Sequence, residues 1–276
     1  LWSRMATSSS TKTTVQPHIL FSPIDQGIAL VTLSHPGKFN AMSRSMWREL
    51  RAGFVELQAT PGVRCVLVRG AGGHFCAGGD ISEYASFRFE EQSLRAFHEN
   101  DVWGGLQAML DCDVPIVAHI EGNCMGAGVE IASCCDIRIA GDNARFGAPI
   151  AKLGFPMAPR EAALVARALG ELTAREMLLS AAVLGAPEMH QRGFLNQVVA
   201  APALDGAVAA FVDRMRPLAP QAARMNKQTF RAIAPVGIDS FASDLIANAY
   251  QYANSAEHVE GVRAFTEKRP PQFGGK

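Results

Sequence analysis

The apolar positions of the chain form short runs and helical stripes that alternate along its first half. Residues 28–34, 64–69 and 116–120 are compact apolar runs and predict buried β-strands. Between the first two runs, residues 43–58 place their apolar side chains on one helical face, and Ser43 can cap that helix. This order of strand, helix and strand favours an α/β fold with crossover connections.

The second half of the chain is predicted to be mainly helical. We expect a strand at residues 137–140, a loop at 142–149, helices near 160–169, 173–179 and 188–192, and a strand at 195–200. From residue 204 onward the pattern is helical and is interrupted by prolines. A helical region of this size is near the lower limit for independent stability, so we expect it to pack on its own core or on a neighbour.

These patterns divide the chain into three parts. Residues 1–17 include a stretch rich in Ser and Thr and are expected to form a flexible tail. Residues 18–200 are expected to form the α/β core, and residues 201–276 the C-terminal helical region. The first residues lack the apolar segment of a signal peptide, and we find no apolar run long enough to span a bilayer.

Composition excludes several classes of partner. The 276 residues include 48% hydrophobic and 19% charged side chains, enough apolar material for a large core. The formal net charge is zero and no basic run occurs, which argues against nucleic acid or an anionic membrane as the main partner. None of the six cysteines has C-x-x-C or zinc-ligand spacing. We therefore expect buried free thiols, no metal site and a reduced, cytoplasmic location.

The stretch from residue 114 to residue 136 organises the chain. A predicted buried strand leads into a glycine-rich turn at residues 122–128, and an apolar helix follows. The N–H groups at such a helix start, with the positive end of the helix dipole, suit an anion or an oxygen that becomes anionic during a reaction. Glu130 is the one carboxylate beside this position. It either complements the helix dipole or takes part in chemistry.

A second glycine-rich loop covers residues 70–80 and is another candidate donor of backbone N–H groups. Asp80 and Glu83 have the spacing of a helix-capping box, so capping is favoured over a chemical role for Asp80. The dinucleotide-binding fingerprint fails at Ile131, and neither a P-loop nor a G-x-S-x-G motif occurs. His119 lies inside a predicted strand and is expected to be a hydrogen-bonded core histidine.

Both glycine loops resemble motifs of the crotonase superfamily, the enoyl-CoA hydratase/isomerase family. Five stretches resemble its motifs in the same order, namely residues 36–42, 74–81, 122–136, 186–198 and 255–273. Each stretch alone is weakly specific, but the five in order are strongly so. The resemblance implies a spiral of ββα turns with a C-terminal helical region at residues 201–276 that packs between the subunits of a homotrimer or hexamer.

The resemblance also implies a ligand, a coenzyme A thioester, and no separate cofactor. The thioester oxygen would accept hydrogen bonds from the backbone N–H groups of Gly79 and Ala127, with Glu130 as the catalytic acid/base. The positions that the resemblance assigns to substrate binding are Lys38, Ala41, Ala77, Asp80, Ile81, Pro149, Ile150 and Lys268, the last reaching a CoA phosphate.

One departure from the family motif affects the expected reaction. Hydratases of the family carry a second glutamate in F-G-x-P-E, and this chain has Ile150 at that position. Adding water to a double bond requires one proton to leave the water and another to reach the α-carbon. Three functions remain open: an enoyl-CoA hydratase or isomerase with Glu130 as sole acid/base, an acyl-CoA decarboxylase, and an acyl-CoA-binding protein with little catalysis.

Two further residues have a functional and a structural interpretation. Glu161 follows Pro159 at the start of a predicted helix and could replace the missing carboxylate. A solvated acid in the first helical turn is the favoured interpretation of Glu161. Tyr84 lies one helical turn after Asp80 and could line a pocket, although packing in the core is favoured.

Overall fold

The computed structural model describes residues 16–233 and 246–273. Most of the predicted tail and residues 234–245 of the predicted helical region therefore lie outside the described residues. The strands are β1 (His18–Phe21), β2 (Ile28–Ser34), β3 (Cys65–Gly70), β4 (Ile116–Ile120), β5 (Asn123–Met125), β6 (Ile137–Gly141), β7 (Arg145–Gly147), β8 (Val183–Gly185) and β9 (Gln197–Val199).

The α-helices come from both the core and the C-terminal region. They are α1 (Arg44–Ala59), α2 (Glu91–Ala96), α3 (Trp103–Asp111), α4 (Ala127–Cys134), α5 (Pro159–Leu169), α6 (Glu171–Ser180), α7 (Ala186–Gln191), α8 (Leu204–Met215), α9 (Pro220–Ile233) and α10 (Ala256–Thr266). Short 3₁₀ turns are formed by Ile81–Ser86, Ile150–Leu153, Ala201–Ala203 and Gln251–Asn254. No helix of the described part of the chain is both long and apolar enough to cross a membrane.

A six-stranded sheet with the order β1-β2-β3-β4-β6-β9 forms the centre of the fold. Every neighbouring pair is parallel except β1 with β2. All five residues of β4 are buried, as expected for a parallel strand covered on both faces. The predicted strands at 28–34, 64–69 and 116–120 are thus confirmed, and their crossover connections set the α/β class.

The second sheet has the order β5-β7-β8 and was not predicted. Residues 142–149 were expected to form a loop, but Arg145–Gly147 pairs in parallel with Asn123–Met125. Each strand has only three residues, so no period-two pattern can develop within it. The partners are distant in sequence, and the pairing therefore depends on the tertiary fold rather than on local propensity.

Helix α1 is confirmed with the predicted cap. The Ser43 hydroxyl accepts a hydrogen bond from the Met46 N–H at 3.2 Å, and Ser43 is buried. The buried face of α1 carries Met46, Trp47, Leu50, Phe54 and Leu57. This apolar stripe joins the main core.

Removing the cap is expected to destabilise the protein measurably. Ser43→Ala leaves the Met46 N–H without its side-chain acceptor, at a cost of about 1 kcal/mol in the free energy of unfolding. Denaturant unfolding of the two proteins measures this difference. Ser180→Ala is a suitable control, because the exposed Ser180 hydroxyl donates only to the Glu176 carbonyl of its own helix. An unchanged midpoint in Ser43→Ala would contradict the capping role.

The segment between residues 80 and 111 consists of a 3₁₀ turn, two α-helices and a π-helical turn. Glu90 caps a new helix by accepting from the N–H groups of Gln92 and Ser93, so α2 begins there. A π-helical turn, Phe97–Val102, then separates α2 from α3 and buries His98 and Asp101. Such an insertion changes which side chains face inward, and it explains the weak helical periodicity of this stretch.

Two of the C-terminal helices, α8 and α10, pack on the core through apolar side chains or close helical contacts. Helix α8 packs on the central sheet through Leu204, Val208 and Val212, which cluster with Cys65 and Val117. Helix α10 packs against the two 3₁₀ turns Ile81–Ser86 and Ile150–Leu153. The expectation that this region packs on its own core is confirmed for these helices, whereas its role in trimerisation stays a prediction.

Candidate active site

The two glycine loops lie side by side because backbone hydrogen bonds join them. The Cys76 N–H donates to the Asn123 carbonyl, and the Met125 N–H donates to the Cys76 carbonyl, each at 2.8 Å. Gly126, with φ of +47°, then turns the chain into α4. Ala127 is the first residue of that helix, where an N–H has no acceptor within the helix.

Gly79 presents its N–H from the opposite loop. Met42 pairs with this loop by donating to the Gly78 carbonyl and accepting from the Asp80 N–H, so the Gly79 N–H takes no part in that pairing. A side chain at position 79 would require the buried Tyr84 to move, because an added Cβ would lie 2.2 Å from the Tyr84 hydroxyl oxygen. Tyr84 is buried, as predicted, and also borders the site.

A cavity of about 340 Å³ lies between the loops. The predicted residues in its wall are Ala77, Gly79, Ile81, Ala127, Glu130, Pro149 and Ile150. Most of the remaining wall is apolar and includes Trp47, Phe97, Phe155 and Met157, and Phe265 of α10 lies at its border. The structure therefore brings the proposed oxyanion donors, the proposed acid/base and an apolar chamber together.

The other predicted binding residues lie outside this wall. Lys38 and Asp80 form an ion pair at 2.8 Å, and Asp80 also accepts from the Ser82 N–H, which confirms its capping role. Ala41 is buried, and Lys268 is exposed at the end of α10. Their contacts with a substrate stay predictions.

His119 and the cysteines take no part in the cavity wall. His119 is buried, and its Nε2 lies 2.8 Å from the Asp205 carboxylate, so the prediction of a hydrogen-bonded core histidine is confirmed. All six cysteines are buried and unpaired, also as predicted. No group of three His, Cys, Asp or Glu residues that could hold a metal ion occurs within residues 16–233 and 246–273.

Glu130 is held in an environment that disfavours its ionised form. Its side chain is buried in the first turn of α4, and it faces the cavity. Burial and then the neighbouring Glu161 charge raise the pKa of Glu130 well above its usual range, while Arg88 acts in the opposite direction. A carboxyl group in this state can hold a proton near neutral pH and give it to a substrate atom.

Glu161 is not the solvated acid that its place in the first turn of α5 suggested. Only 3% of Glu161 is exposed, and it lines the same cavity as Glu130. Burial raises the pKa of Glu161 to about 8, with Arg88 acting against the shift and Glu99 adding to it. The favoured interpretation from sequence was therefore wrong, because helix position alone does not show which face the tertiary fold covers.

Two residues that the sequence did not indicate complete the polar end of the cavity. His98 Nδ1 lies 2.8 Å from Glu161 Oε1, and Arg88 reaches His98 Nε2 at 3.4 Å. Arg88 is 99% buried and also donates to His258 Nε2 at 3.3 Å. Burial, and then the Arg88 charge, lower the pKa of His98 well below its usual range, so His98 is neutral.

No motif in the sequence could have found Arg88 and His98. Arg88 follows the 3₁₀ turn Ile81–Ser86 in an irregular segment, and His98 lies in the π-helical turn. Their partners in the C-terminal segment are more than 160 residues away from Arg88. Only the tertiary structure brings these side chains to one place.

The fold and the paired loops are those of the crotonase superfamily, and comparison with known proteins agrees. A profile of the enoyl-CoA hydratase/isomerase family matches residues 23–276, and the chain belongs to that family. Probable enoyl-CoA hydratase echA8 of Mycobacterium bovis is 30% identical over 253 residues, which cover 90% of this chain and 95% of that protein.

Solved structures show the same fold. An enoyl-CoA hydratase/carnithine racemase from Magnetospirillum magneticum has a TM-score of 0.74 at 33% identity, covering 92% of this chain and 94% of that one. Methylmalonyl-CoA decarboxylase in complex with 2-nitronate-propionyl-CoA has a TM-score of 0.83 at 23% identity, covering 95% and 100%. At that identity the second likeness shows the fold alone.

Proposed function

We propose that this protein forms the enolate of an acyl-CoA thioester and acts as an enoyl-CoA hydratase or isomerase. The observation that carries the proposal is the position of Glu130. This buried carboxyl group faces the cavity three residues after Ala127, whose N–H starts α4, with Gly79 in the opposite wall. A proton-transfer group and two oxyanion donors thus meet in one apolar chamber.

The chemistry follows from the charge that develops in the reaction. The thioester oxygen would accept from the Gly79 and Ala127 N–H groups, and it becomes negative when the α-carbon loses a proton or the β-carbon is attacked. Each preorganised donor is worth about 3 kcal/mol at such an oxygen. Glu130 then moves the proton to or from the α-carbon, which general acid–base catalysis accelerates by about 10² to 10⁴.

The remaining site assignments concern the CoA part of the substrate. Lys38, Ala41 and Asp80 lie in or beside the loops that lead to Gly79, and Lys268 follows the α10 helix that carries Phe265. We propose that these residues line the CoA path and that Lys268 reaches a phosphate. CoA is then part of the substrate, and no separate cofactor is required.

The alternative functions make different demands on the site. Loss of CO₂ would give the enolate without any base at the α-carbon, and a carrier protein would need no acid at all. Burial of two carboxyl groups with raised pKa values in one cavity favours proton transfer over both alternatives. The names of the more similar relatives also support a hydratase or isomerase.

The direct test is turnover of 2-enoyl-CoA and 3-enoyl-CoA thioesters over a range of chain lengths, followed by loss or gain of enoyl absorbance. We expect hydration, isomerisation or both. A malonyl-type thioester is assayed in parallel for CO₂ release. Release of CO₂ without turnover of either enoyl substrate would replace this proposal by the decarboxylase, and binding without any turnover would replace it by the carrier.

A further inference from the structure

Hydration needs one group that takes a proton from water and one that gives a proton to the α-carbon. Glu130 can do only one of these at a time, and Ile150 has no group that could do the other. The Ile150 side chain lies in the cavity wall and carries no ionisable atom. Glu161 lies in the same wall, on a different element, at the start of α5. The structure therefore contains a second buried carboxyl group at the cavity, at a position that the family motif does not indicate.

The contacts of Glu161 fix the direction of its hydrogen bond. An arginine side chain has N–H donors and no acceptor, so His98 Nε2 must accept from Arg88. Neutral His98 then carries its single ring proton on Nδ1 and donates it to Glu161 Oε1 at 2.8 Å. The chain Arg88 to His98 to Glu161 thus leaves Glu161 as the acceptor, whether or not Glu161 carries its own proton.

These two hydrogen bonds orient Glu161 as a catalytic acid or base requires, and they differ from a structural ion pair. Within the described residues, the side chain of Glu161 has no hydrogen-bonded Lys or Arg partner, and its single side-chain partner is neutral His98. A buried carboxyl group without a directly bonded counter-ion is costly to keep and contributes little to stability. The carboxyl group of Glu161 is held by His98 and by the backbone of Ala158, and the residue lines the cavity.

Arg88 is itself firmly held. Its guanidinium lies 3.9 Å from the centroid of the Phe155 ring and 4.4 Å from that of Tyr84. It donates to His258 and Tyr252 on its other sides, at 3.3 and 3.4 Å. These contacts fix the position of the guanidinium group from which Arg88 donates to His98.

We propose, building on the hydratase or isomerase function above, that Glu161 binds and deprotonates water during hydration and replaces the carboxylate missing at position 150. Glu130 acts at the α-carbon. Arg88 and His98 are positioning residues that orient Glu161. The inference makes hydration, rather than isomerisation alone, the reaction of this chain.

The proposed step balances without an additional reactant. Ionised Glu161 takes a proton from water as the water oxygen bonds to the β-carbon, and the π electrons move to the thioester oxygen as an enolate. The Gly79 and Ala127 N–H groups hold that oxygen. Protonated Glu130 then gives its proton to the α-carbon, and exchange with solvent returns both carboxyl groups to their starting states.

The experiment separates the two proton transfers. Hydration of a 2-enoyl-CoA needs both glutamates, whereas exchange of an α-hydrogen of the saturated acyl-CoA for solvent deuterium needs a base at the α-carbon only. Both reactions are measured for the wild type, Glu161→Gln and Glu161→Asp. The matched control is Glu171→Gln, since Glu171 also lies in the first turn of a helix, the next one in the chain, but is exposed and paired with Arg175.

We expect Glu161→Gln to lower the hydration rate by about 100-fold or more while α-hydrogen exchange continues near the wild-type rate. Glu161→Asp, which keeps a carboxyl group, should retain part of the hydration, and Glu171→Gln should match the wild type. Continued exchange shows that the Glu161→Gln protein is folded and binds the thioester.

Other results would overturn the inference in recognisable ways. Unchanged hydration in Glu161→Gln would show that Glu130 acts alone, and equal loss of both reactions would show that Glu161 does not act specifically on water. A wild type that isomerises 3-enoyl-CoA but does not hydrate would overturn the inference and leave the proposed function intact. A wild type without either activity would overturn the proposed function itself.

Discussion

Glu130→Gln is expected to lower both enoyl-CoA turnover and α-hydrogen exchange by about 10² to 10⁴. Glutamine has nearly the same shape as glutamic acid but cannot take up or release a proton at the α-carbon. Because burial raises the pKa of Glu130 and so favours its uncharged form, the uncharged glutamine should also fit without loss of stability. Steady-state kinetics and deuterium exchange measure the first effect, and thermal unfolding measures the second.

The two substitutions together distinguish the role of Glu130 from that of Glu161. Loss of both reactions in Glu130→Gln, set against loss of hydration alone in Glu161→Gln, would assign one proton transfer to each residue. Exposed Glu171→Gln again serves as the control. Persistent α-hydrogen exchange in Glu130→Gln would show that another group acts at the α-carbon, and the proposed mechanism would then be wrong.

Gly70→Ala is expected to give the largest loss of stability among small substitutions near the site. Gly70 ends β3, and an added Cβ would lie 1.8 Å from the His74 carbonyl oxygen and 2.4 Å from that of Phe75. Both atoms are backbone, so the loop itself must move. We expect the free energy of unfolding to fall by about 3 kcal/mol, at the upper end of overpacking effects.

A glycine-to-alanine substitution at Gly206 should instead raise the free energy of unfolding. At Gly206 in α8 nothing lies within 4 Å of an added Cβ, so Gly206→Ala should stabilise the helix by up to about 1 kcal/mol. Denaturant unfolding of both variants gives the comparison. Equal midpoints for Gly70→Ala and the wild type would show that the loop tolerates displacement, and its rigidity could not then contribute to the oxyanion site.

Much of the fold was predictable because its longer elements carry their own patterns. The strand Ile28–Ser34 is a compact apolar run, and α1 combines a capping serine with a continuous apolar stripe. The three-residue strands of the second sheet and the π-helical turn have no such pattern. They depend on partners far away in the chain, which local propensity does not specify.

The candidate site was predictable where a motif is local. Gly79, Ala127 and Glu130 lie in contiguous glycine-rich stretches, and the structure places all three at one cavity. Glu161 was misjudged because a first-turn helical acid is commonly solvated, and here the fold buries it against His98. The burial of Glu161 could be known only once α5 and the π-helical turn were placed together.

The hydrogen bonds between Arg88 and the C-terminal segment make the proposed site depend on two parts of the chain that are distant in sequence. Tyr252 and His258 contact this arginine across more than 160 residues, and His258 is itself held by the Ala253 carbonyl at 2.8 Å. Evolutionary drift at any of these positions is therefore constrained by the others. In a chimera that joined this core to the C-terminal segment of another family member, the buried Arg88 guanidinium would lie against different side chains. The two parts are separate in sequence, but they are not interchangeable modules.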